Sequence, residues 1–400
     1  MKKIRPISIL CGCVLILFLL AACAGTGDSA TTGGVASAET YGDSSLTTVS
    51  WDSGDPEYEA MVIEIEGVRA LNGGVAKITV AELRALPQHE LDAYFRRSTG
   101  RLEEHHMIGP LLRDVIAAVG GNLDDYQGLA MIGRDNYFCL FSRDVLDNTP
   151  DLLLALVVDG NPKLDDDLAP AWAAVQGQFG PYWVKQIARI VLYEEVPQRI
   201  ITNVWVFENL TEGIERVGFE YWGSLDNAVE VGQIFSRMDY VDSRAFFTMK
   251  SSDGFRKNEA INMVKSRYYI KVDGEDAPTN VSPFIMLGMN VQRIAWFSTS
   301  TDAVIFPELL LEYLDLETIR GETGVSLKEV LYEVEMEVVR AADFELIGTN
   351  GERYQVSGSE LSNAILVPLL GGGARVLWDE AFDYPDIDDL LRIRVVEVDA

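Results

Sequence analysis

One order of landmarks occurs at two distant places in this chain. Gly109-Pro110-Leu111-Leu112-Arg113-Asp114-Val115-Ile116 is paralleled by Gly324-Val325-Ser326-Leu327-Lys328-Glu329-Val330-Leu331. Leu129-Ala130-Met131-Ile132-Gly133-Arg134-Asp135-Asn136 is paralleled by Phe344-Glu345-Leu346-Ile347-Gly348-Thr349-Asn350-Gly351. Ser142-Arg143-Asp144-Val145 finds an echo in Ser359-Glu360-Leu361, and the closing run 185–192 in 388–395. A looser copy lies between them, with Val229 to Phe235 in the helix place, Ser252-Asp253-Gly254-Phe255 in the turn place and 292–297 closing. The shared order is helix, strand, Asp/Asn turn, strand, short helix, strand, closing strand. A unit met three times restricts the chain to tandem copies of one small architecture.

Local signals fill in the first copy. Residues 61–68 alternate apolar and polar, as a half-buried strand does. Residues 78–87 read as a helix with Thr79 at the N-cap and Glu82 three places on, a capping box, and Pro87 ends it. Residues 110–119 read as a second helix with Leu111, Leu112, Val115, Ile116 and Val119 on one face and Gly120-Gly121 at its end. Strands are expected at 129–132 and 137–141, a helical turn at 143–146, an apolar strand at 152–158 ending in Asp159-Gly160, and a closing strand at 184–193. Gly371-Gly372-Gly373 reads as a turn between strands. The tryptophans Trp172, Trp183, Trp205, Trp222, Trp296 and Trp378 are scattered. Most belong in cores, and an exposed subset would suit a sugar- or peptide-binding face.

The N-terminus carries an address. Lys2, Lys3 and Arg5 precede an apolar run too short to span a membrane comfortably, and the run ends Leu20-Ala21-Ala22-Cys23. This resembles a bacterial lipobox, which makes Cys23 the expected lipidation site and residues 1–22 a lipoprotein signal peptide. Residues 23–57, rich in Gly, Ser, Thr, Ala and Asp, read as a flexible tether. The expected location is the cell membrane, lipid-anchored on the extracytoplasmic face. The formal net charge is -29. Such a surface repels phosphate backbones, so nucleic acid is not a partner, and it repels anionic headgroups, so attachment has to be covalent or hydrophobic. Apart from Cys11, Cys13 and Cys23 the only cysteine is Cys139, so there is no internal disulfide framework. Cys139 reads as a small buried hydrophobe.

The landmarks of the first copy resemble the molybdopterin-binding oxidoreductase domain, the sulfite-oxidase-like fold. Residues 78–87 match its leucine-rich helix ending in Pro, 109–116 its "GvpLrdlL" helix, 133–137 its "g.DgY" turn, 159–164 its "DGepL" turn and 180–192 its "G.kwvKwi..I.l" close. The resemblance implies an α+β fold of tandem sulfite-oxidase-like (molybdopterin-binding-domain-like) modules, with mixed, mostly antiparallel sheets and short helices. The modules are expected at 58–198, 199–302 (diverged) and 303–400 (diverged). The departure from the family is chemical. Catalytic members carry a metal-ligating cysteine just before the "GvpL" helix, and here that stretch reads Tyr94-Phe95-Arg96-Arg97-Ser98-Thr99-Gly100. Serine is a hard, high-pKa donor and a poor replacement for a thiolate.

The expected function is therefore a binding or interaction scaffold for an unidentified protein or small-molecule ligand, with no catalytic residue, no metal and no cofactor. The alternative is a molybdopterin-dependent oxidoreductase in extracytoplasmic electron transfer. The family places a ligand pocket near Arg97, Ser98, His105, His106, Tyr182 and Lys185. His89, His105 and His106 with Glu103 and Glu104 do not make a metal site, because neighbours on an extended chain point to opposite faces. Asp165-Asp166-Asp167 lacks the alternating ligands and glycine of a calcium loop. Nucleophile elbow, P-loop, CxxC and haem-attachment patterns are missing from the sequence.

Overall fold

A computed structural model describes residues 45–47, 52–96, 100–238, 245–283, 290–337, 339 and 341–396. The signal peptide, Cys23, Arg97 and Ser98 lie outside them. The architecture is mixed α+β, with mostly antiparallel sheets and few, short helices.

The first unit is built on a five-stranded sheet. Ile187–Tyr193 runs parallel to Val62–Val68, which pairs with Gly74–Thr79 on one side. On the other side Ile187–Tyr193 pairs antiparallel with Gly128–Gly133, and that strand pairs with Phe138–Ser142. The alternation along Val62–Val68 puts Ile63 and Ile65 in the core. Thr79 caps Val80–Arg84 with the full capping box, as its spacing with Glu82 requires. Helix Leu112–Ala118 buries Leu112, Val115 and Ile116 and ends on Gly120 in the left-handed region.

A second sheet carries the long hairpin Gln88–Arg96 and Leu102–Gly109, with Val157–Val158 beside it. Strand Ser45–Thr47 lies on its outer edge, and Asp55 caps helix Pro56–Glu59, so ordered elements begin inside the expected tether of 23–57. The apolar run 152–158 is not one strand. It divides into Leu153–Ala155 and Val157–Val158 as it passes residues 107–112. Pro110 has no N–H to give, so the ladder is interrupted there. The closing strand starts at Ile187 rather than Val184, because Gln186 sits at φ 53°.

The rest of the chain does not form a separate sheet for each copy, as the sequence reading expected. It shares one eight-stranded sheet. From edge to edge this runs Arg256–Ala260, Phe246–Ser251, Ile294–Ser298, Asp302–Ile305, Asn203–Val206, Leu390–Val395, Asp343–Gly348, Arg353–Ser357. The two central strands, Asp302–Ile305 and Asn203–Val206, are parallel and every other pair is antiparallel. The expected boundary at 302/303 therefore falls inside a central strand. Two four-stranded sheets flank it. One has the order Val217–Tyr221, Ser224–Glu230, Tyr269–Lys271, Thr279–Val281. The other has Leu316–Ile319, Glu322–Ser326, Ala364–Pro368, Ala374–Trp378.

The Asp/Asn turns keep one geometry in all three places. Gly133, Ser251 and Gly348 each donate an amide to the carbonyl four residues on, in Tyr137, Phe255 and Glu352. Asp135, Asp253 and Asn350 each accept the amide two residues on through the side chain, at 2.9–3.0 Å. Asn136, Gly254 and Gly351 take the positive φ that the turn demands. Next to each turn the ladder to the closing strand shifts register in the same place, at Ile187/Arg189, Lys250/Ser251 and Ile347/Gly348. The three sequence echoes thus mark three equivalent bulged hairpins.

The first unit joins the rest through its outer strand. Phe138 stacks on Phe246 at 5.2 Å. The Asn136 amide donates to Glu259 Oε2 at 3.1 Å and to the Ala260 carbonyl at 3.3 Å. Glu259 is fully buried, accepts from the Tyr268 hydroxyl and lies 2.9 Å from Lys257 Nζ. Burial, together with the Glu259 carboxylate, pushes the Tyr268 phenol up, so it stays a donor. The connector to the eight-stranded sheet is pinned as well. Arg199 donates to the Val334 carbonyl and to Glu335 at the end of helix Leu327–Glu333.

Candidate functional site

Strand Leu102–Gly109 sends successive side chains to opposite faces, and that separates the two histidines. His106 Nδ1 lies 2.8 Å from Asp92 Oδ1 on the exposed side. His105 turns the other way, with Nδ1 2.8 Å from Asp159 Oδ2 and its ring edge-on to Trp172 at 5.1 Å. Among the described residues no three His, Cys, Asp or Glu side chains converge as metal ligands.

Lys185 reaches the same tryptophan. Its Nζ stands 4.9 Å from the Trp172 ring centre and 4.0 Å from Asp167. Trp172 is fixed below by its indole N–H to the Trp183 carbonyl, at 3.2 Å, and Trp183 stacks on Phe95 at 4.6 Å. A cleft of about 360 Å³ opens beside Lys185, with Asp135, Asp167, Gln186 and Tyr137 on its walls. Burial, with Cys139 and Asp135 nearby, pushes the Tyr137 phenol up. It donates to the Pro181 carbonyl at 3.0 Å and is no candidate base. The cleft thus presents one ammonium, two carboxylates and an amide. Such a lining suits a hydrogen-bonding or zwitterionic guest.

Of the candidates named from sequence, His105 and Lys185 come together at Trp172. His106 does not. Tyr182 sits in the short helix Gly180–Tyr182 and packs its ring edge on Phe141 at 5.3 Å. Arg97 and Ser98 are outside the described residues. Trp172, Phe95 and Asp159 were missed as partners. Their only sequence signal was the alternation that turns His105 inward. A second cleft, of about 400 Å³, lies between helices Leu112–Ala118 and Arg143–Asp147. Its Arg143 is already engaged by Asp147 and by the Leu123 and Tyr126 carbonyls.

The donor set does not fit a thiolate-ligated molybdenum centre. Beyond Cys23 the only thiol is Cys139. It is buried on strand Phe138–Ser142, opposite Met131, inside the first core. The groups gathered at Trp172 are imidazole and carboxylate, which are harder donors than a thiolate, and an ammonium, which has no lone pair to give.

Asp159 gives the site a pH signature. Burial acts to raise its carboxyl, but the His105 ring and the His106 amide outweigh that and hold it below the ordinary value of 3.8. A depressed folded pKa adds stability above the unfolded pKa and loses it as pH falls through the folded one. The expected Tm gap between wild type and Asp159→Asn is steady near neutrality and closes below about pH 4. The group is largely exposed, so the gap corresponds to about 0.5 kcal/mol or less. Thermal melts from pH 7 to pH 2.5 check it, and a gap that widens in acid contradicts the assignment.

No family model matches the chain, and no curated protein matches it. Among solved structures, the chain is similar to the sulfane dehydrogenase SoxCD from Paracoccus pantotrophus at a TM-score of 0.31 and 12% identity, over 63% of this chain and 79% of that one. A likeness of that size bears on neither ligand nor chemistry.

Proposed function

We propose that the chain is a lipoprotein anchored through Cys23 on the extracytoplasmic face of the membrane. Its body is read as tandem sulfite-oxidase-like modules, and the first serves as a binding scaffold without molybdenum chemistry. One observation carries the non-catalytic part: the body's single thiol, Cys139, is buried in a core strand and cannot serve as an accessible ligand. The three equivalent bulged hairpins support the modular part. The cleft beside Lys185, with Asp135, Asp167 and Gln186 on its walls, is the binding position, and its guest is a small polar molecule or a peptide segment.

A pterin-dependent oxidoreductase is the second reading. It draws support from the meeting of His105 and Lys185 at one aromatic ring. Metal and pterin analysis of protein purified from its host, with cofactor synthesis intact, separates the two. The expected result is substoichiometric molybdenum and tungsten and no fluorescent pterin on acid extraction. Stoichiometric metal overturns the scaffold reading. The anchor is tested in the same preparation: wild type is recovered with membranes and Cys23→Ala in the soluble fraction.

A further inference from the structure

Trp222 breaks a local rule. It occupies the first place of the two-residue turn joining Val217–Tyr221 to Ser224–Glu230, where Tyr221 pairs with Ser224. Its φ is 51° and that of Gly223 is 81°. Such a turn calls for Asn, Asp or Gly at both places, and a bulky side chain there is strained. The hairpin Leu316–Ile319 and Glu322–Ser326 makes the same turn, with Arg320 at φ 52° and Gly321 at 82°. There the tip is used within the chain, because Arg320 binds Asp386. Trp222 meets only the edge of Tyr221, at 6.3 Å, and is 66% exposed. The other tryptophans among the described residues are all buried.

The surface around it is apolar and acidic. Leu225 is 76% exposed and lies over Gly218 on the outer face of the hairpin. Val217–Tyr221 is the outer strand of its sheet among the described residues, so one side of its backbone is open. Glu220 is exposed on it, and Glu212 and Glu215 are exposed in the turn that leads into it. Arg216 is the one cation in 212–227, and it is paired with Glu208.

We infer that the Val217–Tyr221 edge and the Trp222 tip dock an extended, basic segment of a partner protein. The segment adds a strand to the open edge, which supplies main-chain hydrogen bonds. Trp222 and Leu225 anchor one end by burying apolar surface. The carboxylates select Lys and Arg on the incoming strand. A bilayer fits less well, since the same carboxylates are repelled by anionic headgroups. This surface is remote in sequence from the cleft beside Lys185, and the inference holds whether or not the first unit binds a pterin.

The test uses the full chain and a capped, labelled peptide of alternating Lys and Val, with a Glu–Val peptide as the charge control. Wild type is expected to bind the Lys–Val peptide saturably, more weakly at high salt, with loss of acrylamide quenching of its exposed tryptophan. Trp222→Asn suits the turn better, so its Tm should be equal or higher while binding falls by about tenfold or more. Leu225→Lys should weaken binding in the same direction. Equal affinity for the Glu–Val peptide overturns the proposal, and so does unchanged binding by Trp222→Asn. A Trp222→Asn variant that loses several degrees of Tm and keeps its affinity shows a structural tryptophan instead. Protection of Trp222 by self-association, or by phosphatidylcholine vesicles where the peptide gives none, also overturns it.

Discussion

Replacing Glu259 by Ala is expected to cost about 3–5 kcal/mol of stability, the range for breaking a buried ion pair by removing one partner. Glu259 has no exposed surface and Lys257 is 6% exposed, so neither charge has water as a substitute. Asn136 and Tyr268 lose their acceptor at the same time, and Asn136 is the residue that brings the first unit's turn to this strand. The loss should also be seen as uncoupling. Urea unfolding followed by far-UV CD and by tryptophan fluorescence should give coincident curves in wild type and separated ones in Glu259→Ala. A change below about 1 kcal/mol with coincident curves would mean the junction is held without Glu259, by the Phe138–Phe246 stack and the Asn136–Ala260 hydrogen bonds.

Gly109→Ala and Gly324→Ala come next in size, at about 3 kcal/mol each. A methyl on Gly109 would overlap the backbone carbonyl of Leu154, and one on Gly324 the backbone carbonyl of Leu366. In neither case can a flexible side chain swing away, so a strand must move. Chemical denaturation of the two variants checks this, and an effect within about 0.5 kcal/mol of wild type would show the strands to be loosely packed. Gly109 opens the stretch that Gly324 to Leu331 parallels in the sequence. Its structural requirement is close strand approach, and the same requirement is met at Gly324.

The parts of the fold that were legible are those set within a few residues. The Thr79 capping box, the Gly120 helix end and the Asp135, Asp253 and Asn350 turns each depend on local hydrogen bonds that near neighbours dictate. The parts that were not legible depend on partners far away in sequence. Nothing near Asn203–Val206 says that its neighbours will be Asp302–Ile305 and Leu390–Val395. The site divides in the same way. Opposed faces for His105 and His106 follow from the period of a strand, whereas the choice of Trp172 as the surface shared by His105 and Lys185 does not. Lys185 is placed near a ligand pocket by the family resemblance alone. It lies just before the closing strand and stands over Trp172 because Gln186 bends the chain there.

In the eight-stranded sheet, Ile294–Ser298 pairs with Asp302–Ile305, and the last strand Leu390–Val395 returns to pair with Asn203–Val206. Strands from before and after the 299–301 connection therefore alternate in the middle of the sheet. Neither half owns a complete sheet. A nick in the 299–301 connection should leave two fragments that stay associated and migrate as one particle until denatured, and either fragment made alone would offer its unpaired central strand to whatever chain it meets first.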